Sequence, residues 1–360
     1  MASNEDALVA REAKLDELHE KLTGAVESLV SGDDWRQALA FAARFRSRSF
    51  NNTMLIWVQH EAAFEAGRVP EPFPTLVAGY RQWQGLGRQV MKGQPGYMIF
   101  APVTGRFASS HPADPNSWRR LGPREKQKVN EVVRSRMVGA RPAYVWDASQ
   151  TDGASLPVPP APTLLEGEAP SGLWEGLAGQ IRGAGFEVLR VPHEGMISGA
   201  NGLTDYEART VAVRENMDSA AQVKTLAHEL AHVLMHDPDD EVRQHRGIRE
   251  VEAESVALMI GAAHGMDTTG YTIPYVSTWA ARVEGQEPAQ VVQATGERVR
   301  KTALAILDQL DTAQVGDGTP PGLERDAAMR PPARPTQAAM SSLAESDRHP
   351  AVPVLAGREL

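Results

Sequence analysis

The sequence predicts an α+β protein of two domains, and three observations support this. The chain has 360 residues, which is the length of about two domains. Hydrophobic residues make up 42% of it, enough to fill ordinary cores. Segments with the apolar spacing of amphipathic helices are mixed along the chain with short segments typical of strands. A small α+β domain followed by a second mixed domain is therefore expected.

The composition excludes several kinds of site. The formal net charge is -9, so the protein as a whole is not an obvious nucleic-acid binder. Cysteine is absent, which excludes disulfides, thiolate metal sites and cysteine nucleophiles and is consistent with a cytoplasmic protein. The first residues lack a basic segment followed by an apolar run, so no secretory signal is expected. No stretch of about 18 uncharged apolar residues occurs, so we expect no membrane partner.

Residues 1–34 are predicted to form an N-terminal amphipathic helix. Leu15, Leu18 and Leu22 recur at spacings of three and four, which places them on one helix face. We interpret this face as packing on the next domain rather than binding a separate partner. Asp33 or Asp34 can cap a second helix that runs to about residue 45.

Residues 35–153 are predicted to form the first domain. Residues 35–106 contain nine lysine or arginine residues against three acidic ones, and 11 of the 21 aromatic residues. Helical patterns over 34–45 and 51–66 precede short segments separated by glycines, which suits a small α+β module. Residues 107–140 are less regular and read as an insertion. Within it we predict a charged helix over 123–136, and a strand over 141–147.

Residues 154–170 contain the sequence LPVPPAP and are predicted to be an extended linker. The second domain is predicted over residues 171–312. Its expected elements are a helix in SGLWEGLAGQIRGAG, strands in FEVLRV and RTVAVRE, and helices over 219–235, 248–264 and 285–312. Residues 313–360 are rich in Pro, Ala, Gly and Arg without periodicity, which predicts a disordered tail.

The segment HELAH places His228, Glu229 and His232 in an HExxH pattern. On a helix, positions i and i+4 lie one turn apart on the same face, so both imidazoles can bind one metal ion. Glu229 projects at a neighbouring angle, where it can act on a water molecule as the general base of a zinc metallopeptidase. We therefore predict one Zn²⁺ per chain, although another divalent metal is possible.

The third metal ligand is predicted in REVEAESVALMIG. Glu250 and Glu254 are four residues apart and share a helix face. We assign Glu250 as the ligand and Glu254 as a carboxylate that orients a histidine, while exchanged roles stay open. The alternative is that these acidic residues form a solvated face. His236 is interpreted as a structural or surface histidine rather than a ligand.

The basic, aromatic character of the first domain is typical of proteins that bind single-stranded nucleic acid, in which cations contact phosphates and aromatic rings stack on bases. Composition alone does not decide this, because Trp57 has the spacing of an ordinary core residue. The candidate contacts are Arg46, Arg48, Asn52, Trp57, Tyr80, Arg81, Trp83, Arg88 and Lys92.

Three ordered blocks of the first domain resemble the N-terminal domain of ArdC-type antirestriction proteins. They are SFNNTMLIWVQ (49–59), TLVAGYRQWQGLGRQVMKGQPGYMIFAPV (75–103) and VWDASQTDG (145–153). HELAH with EVEAE resembles the metallopeptidase half of that family and also ImmA/IrrE-type peptidases. The resemblance implies single-stranded DNA as a partner, a zincin-like second domain, and Glu250 as the ligand, by its place before the pair 252–253. The insertion over 107–140 and the tail after 313 depart from the pattern.

These observations lead to one main hypothesis and two alternatives. The main one is a single-stranded-DNA-binding zinc metallopeptidase that protects incoming mobile DNA from restriction and acts on an unknown protein or peptide. The first alternative is a regulatory peptidase that cleaves a repressor, as ImmA-type proteins do. The second is a DNA-binding protein with a non-catalytic metal site; the intact HExxH argues against it, since a structural site has no need for Glu229.

Overall fold

The computed structural model describes residues 4–29, 31–156, 167–236, 246–269, 271, 279–281, 283, 285–321 and 323. All helices and strands reported below belong to one unit, Met1–Gly322. A second unit, Leu323–Leu360, is described only at its first residue. Among the described residues, no helix combines the length and the apolar character that crossing a bilayer requires.

Three helices begin the chain: α1 (Asn4–Glu27), α2 (Gly32–Arg44) and α3 (Phe50–Glu65). The side chain of Ser31 caps α2 by accepting from the Asp34 backbone N–H, and the Asp34 carboxylate in turn accepts from the Ser31 backbone N–H. The cap is therefore Ser31 rather than the predicted Asp33 or Asp34. Leu18 and Leu22 of α1 are buried, which confirms that this helix packs on the rest of the protein.

An antiparallel sheet of order β1-β5-β3-β4 follows. It contains β1 (Val77–Gly79), β3 (Tyr97–Ser109), β4 (Arg119–Arg120) and β5 (Val132–Asp147). The short helix α4 (Tyr80–Gly85) connects β1 to β2 (Arg88–Val90), which pairs with β6 (Thr151–Gly153). Buried residues at the start of β3, among them Tyr97, Met98 and Ile99, pack this sheet against the core.

The predicted helix over residues 123–136 is wrong. Residues 123–131 contain turns, and β5 begins at Val132 and pairs with β3 from Ser109↔Val132 to Tyr97↔Val145, with one irregularity at Val103/Thr104. Residues 107–140 therefore form the far end of a long β-hairpin, and β4 lies within this segment. Pairing with β3, distant in sequence, outweighs the helical preference of the charged residues.

The second half contains α5 (Leu173–Gly183), β7 (Glu187–Val191), β8 (Gly202–Asp205), β9 (Thr210–Arg214), α6 (Ser219–Met235), α7 (Arg246–Ala263) and α8 (Pro288–Leu307). The sheet order is β7-β9-β8, with β7 parallel and β8 antiparallel to β9. Each of these helices and strands was predicted except β8.

Gly202 allows β8 to approach α6 closely. A β-carbon at this position would lie 2.6 Å from the Thr225 side chain and 2.7 Å from a carboxylate oxygen of Glu229. Any larger residue would push the strand away from the helix that carries HELAH. The glycine therefore sets how close β8 lies to the candidate site.

One hydrophobic core runs through both halves of the described chain. Trp35 of α2 is fully buried, with its ring 5.7 Å from that of Phe50 and 5.6 Å from that of Trp279. Its Nε1 donates to Ser255 Oγ on α7 over 2.9 Å. The two predicted domains thus share a core, and their exact boundaries stay predictions.

The predicted start of disorder at residue 313 is wrong for the first residues of the tail. Val315 donates its backbone N–H to the carbonyl oxygen of Ala263 over 2.8 Å, and Gly318 accepts from the Val77 backbone N–H at the same distance. This segment therefore binds α7 at one end and β1 at the other. The remainder of the predicted tail, residue 322 and residues 324–360, lies outside the described residues.

His264, which follows α7, gives the fold a pH dependence. It is fully buried, with Nδ1 2.7 Å from the Ile260 carbonyl oxygen and Nε2 2.7 Å from Thr312 Oγ1. Burial lowers the pKa of His264 below its ordinary value. As the pH falls, the unfolded chain therefore binds this proton first. The stability given by the neutral ring is complete above the unfolded pKa of about 6.5 and is lost below it.

We therefore expect the free energy of unfolding, measured by urea titration, to fall between about pH 7 and pH 5. His264→Gln should make that fall smaller, because glutamine cannot gain a proton in this range. The exposed His111 provides the control substitution, His111→Gln, which should keep the wild-type slope. Equal slopes for wild type and His264→Gln would contradict this account.

Candidate metal centre

Helices α6 and α7 bring together the three predicted ligands, His228, His232 and Glu250. The two imidazole Nε2 atoms lie 3.0 Å apart. Glu250 Oε2 lies 3.6 Å from His228 Nε2 and 3.9 Å from His232 Nε2. Ligand atoms in a tetrahedral zinc site, with bonds of 2.0–2.1 Å, are about 3.3 Å apart. The three donors are therefore close to the spacing that one small divalent ion requires.

Glu254 contacts the opposite side of the His228 ring. Its Oε2 accepts from His228 Nδ1 over 3.2 Å, and its Oε1 pairs with Lys224 Nζ at 2.9 Å. Burial disfavours the charge of Glu254, but hydrogen bonds from His228 and Lys224 outweigh it and lower the pKa of this carboxyl. An ionised Glu254 fixes the tautomer with hydrogen on Nδ1, which leaves the His228 Nε2 facing the other donors.

Sequence reasoning missed a second hydrogen-bonded chain, which starts at His232. Its Nδ1 lies 2.8 Å from His236 Nδ1, and His236 Nε2 donates to Glu252 Oε2 over 3.1 Å. Glu252 Oε1 accepts from Arg298 Nε on α8 over 2.6 Å. Of the two interpretations of His236, a structural or a surface histidine, the structural one agrees with its burial and its contact to a predicted ligand, and the surface one is wrong. Its spacing of four from His232 was the signal that could have found it.

The protonation states in this hydrogen-bonded series follow from Glu252 and Arg298 at its far end. Hydrogen bonds with His236 and Arg298 outweigh burial and lower the pKa of Glu252, so Glu252 is an acceptor. His236 then donates from Nε2 and accepts at Nδ1, and His232 must donate from its own Nδ1. A lone pair on His232 Nε2 therefore points at His228 Nε2, an arrangement that a cation between them stabilises.

The pKa values of the two histidines diverge accordingly. Burial lowers the pKa of His228, but hydrogen bonds to Glu250 and Glu254 outweigh it and raise the pKa to about 9. Burial, followed by the charge of His228, lowers the pKa of His232 to about 3.

Glu229 lies beside the three donors and is 6% exposed. Its Oε2 accepts from Thr204 Oγ1 of β8 over 2.6 Å. Burial raises the pKa of this carboxyl above its ordinary value, which makes it a stronger base than an exposed glutamate. No described residue binds it in an ion pair, so its carboxylate is available to a molecule in the adjoining cavity.

An open cavity of about 1350 Å³ contains these groups. Leu203 and Thr204 of β8 line it, and so do Arg249 and Tyr271. Within the sheet formed by the described strands, β8 lies at an edge and pairs with β9. The unpaired edge of a strand can accept an extended peptide by main-chain hydrogen bonds.

The predicted DNA contacts are only partly exposed. Trp83 is fully buried and donates its Nε1 to the Trp146 carbonyl oxygen, so our prediction that it stacks on bases is wrong. Trp57 is half-buried, with its ring 5.6 Å from that of Phe41. Tyr80, Arg81 and Lys92 are exposed and stay candidates.

The remaining four predicted contacts bind the backbone of the protein itself. Arg46 donates to the Val315 carbonyl oxygen, Arg48 to that of Val77, and Arg88 to that of Thr151, each over 2.8 Å. Asn52 donates to the Phe100 carbonyl oxygen and accepts from its N–H, both over 2.9 Å. These side chains hold neighbouring segments together, because buried carbonyl groups need hydrogen-bond partners. Sequence periodicity does not reveal such contacts.

The chain is similar to one curated protein sequence and to two solved structures. A curated relative, an uncharacterized protein of Bacillus anthracis, is 22% identical over 310 residues; the match covers 81% of this chain and 50% of the relative. This chain thus spans half the length of that relative. Crystal structures of the antirestriction protein ArdC from plasmid R388 are 18% identical and cover 73% of this chain and 84% of theirs. The TM-score is 0.43 for the metal-free structure and 0.41 for the Mn(II)-bound one.

Two family models match separate parts of the chain. Residues 13–146 match the N-terminal domain of anti-restriction factor ArdC, and this match spans the residues 107–140 that we had set apart as an insertion. Residues 184–272 match the IrrE N-terminal-like domain and include HELAH and Glu250. The chain therefore combines an ArdC-type N-terminal domain with an IrrE-like domain, as the sequence resemblance predicted.

Proposed function

We propose that this chain is a single-stranded-DNA-binding antirestriction protein whose IrrE-like domain is a zinc-dependent peptidase. The observation that carries the proposal is the convergence of His228, His232 and Glu250 next to the buried Glu229. The ArdC-type domain supports the DNA-binding and antirestriction part. The two halves share one core, which favours a role in which the DNA-binding half and the peptidase half act together on one protein–DNA complex.

The donor set suits zinc. Two imidazole nitrogens and one carboxylate oxygen leave a fourth position for water or substrate, which is the pattern of catalytic rather than structural zinc sites. Glu254 and His236 orient the two imidazoles through hydrogen bonds to the Nδ1 atoms of His228 and His232, respectively. When bound, the ion supplies Lewis acidity, which polarises a substrate carbonyl group and acidifies water.

Glu229 is proposed to be the general base. The Thr204 hydroxyl holds one carboxylate oxygen and thereby fixes the plane of the group. The carboxylate takes a proton from the attacking water and returns it to the leaving amine. A peptide added along the outer edge of β8 would present its backbone to this carboxylate, since Thr204 belongs to that strand.

Metal analysis tests the site directly. Wild-type protein dialysed against limiting Zn²⁺ should retain about one ion per chain, as two histidines and a glutamate at catalytic spacing do in other sites. His232→Ala should retain far less, because one of three ligands is lost. His111→Ala, which changes an exposed histidine after β3, should bind like wild type. Equal zinc content in wild type and His232→Ala would overturn the assignment.

DNA binding is tested separately with the full chain. Labelled single-stranded DNA should be retarded in gels at low salt, and its apparent affinity should fall as salt rises. Binding releases counterions from the phosphates, and this release becomes less favourable as the salt concentration increases. Treatment of the protein with a zinc chelator should leave this binding unchanged. Absence of retardation at low salt would exclude the DNA-binding half of the proposal.

A further inference from the structure

The far end of the β3–β5 hairpin has an unusual surface. We call β-arm the three-stranded region formed by residues 103–109, β4 and residues 132–139. Its register pairs Phe107 with Arg134 on one side and with Arg120 on the other, and pairs Gly105 with Arg136. Directly paired residues, and residues two apart on a strand, point to the same face of a sheet. One face of the β-arm therefore carries Phe107, Arg120, Arg134 and Arg136.

Trp118, two residues before Arg120, completes this face. The guanidinium carbons of Arg134 and Arg136 lie 5.0 and 4.9 Å from the centre of its ring. Arg136 also lies 5.7 Å from the ring centre of Phe107. The arginines are exposed and the two rings half-buried. Cationic and aromatic groups thus alternate on one continuous surface.

The acidic residues in the segments that connect the strands of the β-arm do not neutralise this face. Glu125 and Glu131 both bind Arg119, whose side chain points to the opposite face because it is adjacent to Arg120 in β4. Asp114 caps the turn before Trp118. Among the described residues, none forms an ion pair with Arg120, Arg134 or Arg136.

The β-arm face has no evident role in the fold. Its three arginines are exposed, and the residues of this sheet that belong to the hydrophobic core, among them Tyr97, Ile99 and Val145, lie at its other end. By contrast, four of the side chains that the sequence indicated for DNA binding hold backbone carbonyl groups. A strongly positive surface whose arginines form no ion pair within the described part of the chain is available for a polyanion.

We propose that the face formed by Phe107, Trp118, Arg120, Arg134 and Arg136 binds single-stranded DNA. This proposal rests on the proposed DNA-binding function and names its surface. The three guanidinium groups contact phosphates. Trp118, Phe107 and the guanidinium planes stack on unpaired bases, which duplex DNA does not offer.

The test uses the full chain and a fluorescein-labelled deoxythymidine oligonucleotide, with affinity measured by anisotropy at several salt concentrations. The triple variant Arg120→Gln, Arg134→Gln, Arg136→Gln should bind roughly ten- to a hundredfold more weakly at low salt, because about three phosphate contacts are lost. The slope of log affinity against log salt should decrease by about two. The control Arg182→Gln, Arg190→Gln, Lys301→Gln removes the same charge from exposed positions elsewhere and should change binding little.

Further variants separate the possible outcomes. Replacing the three arginines by lysine keeps the charge and should restore most of the phosphate-dependent affinity, which also controls for misfolding. If Arg81→Gln, Lys92→Gln abolishes binding while the triple glutamine variant binds like wild type, the β-arm is the wrong surface and DNA binding stands. If wild type binds duplex as tightly as single strands, the stacking role is wrong. If wild type binds no DNA, the proposed function itself fails.

Discussion

We expect Glu229→Gln to lower the rate of the proposed peptide hydrolysis by roughly a hundred- to ten-thousandfold, and to leave the expected zinc content of one ion per chain unchanged. The amide keeps the size of the side chain and can still bind Thr204, but it cannot accept a proton from water. Glu229 is not among the converging donors, so its replacement should leave metal affinity unchanged. The measurement is the initial rate of cleavage of a mixed peptide library, followed by mass spectrometry.

Glu207→Gln is the matched control, because Glu207 is an exposed glutamate in the loop after β8. It should retain full activity. If Glu229→Gln cleaves peptides as fast as wild type, Glu229 is not the base and the peptidase proposal fails. A further comparison concerns biology: a Glu229→Gln protein that still protects incoming DNA fully would show that protection does not need proteolysis, and would exclude repressor cleavage as the mechanism.

Trp35→Ala lowers the free energy of unfolding by roughly 3–5 kcal/mol, the range for removing a fully buried large aromatic side chain. Trp35 packs against Phe50 and Trp279 and hydrogen-bonds Ser255 on α7, so its loss leaves a cavity between the two halves of the chain. Because α7 also carries Glu250, zinc affinity should fall as well. Chemical denaturation and zinc titration of the same preparation measure both effects.

Phe64→Ala is the control for aromatic loss, because Phe64 is an exposed ring at the end of α3. It should cost less than about 0.5 kcal/mol, as is usual for surface substitutions. Ser255→Ala leaves the Trp35 Nε1 without its acceptor and should cost about 1–3 kcal/mol. A Trp35→Ala protein as stable as wild type would mean that the two halves do not depend on their shared core.

The sequence by itself determined the elements whose signals are local. The helix that carries HELAH was predicted with the bounds it has, Ser219–Met235, because its cap, its apolar face and its length all lie within one segment. The spacing of His228 and His232 brings their rings together through helix geometry alone. Helix spacing narrowed the third ligand to Glu250 or Glu254, and the family resemblance implied Glu250 by its place before the pair 252–253.

Only the tertiary structure decided the features that depend on distant residues. Residues 123–136 were expected to be helical, yet β5 begins among them, because strand pairing with β3 is not encoded in either segment alone. His236 can orient His232 because Glu252 of α7 accepts a hydrogen bond from His236 and is itself bound by Arg298 of α8. Arg46, Arg48 and Arg88 were candidate DNA contacts until the fold placed carbonyl groups beside them. A sequence states which groups a chain carries, whereas packing decides which of those groups remain available to a ligand.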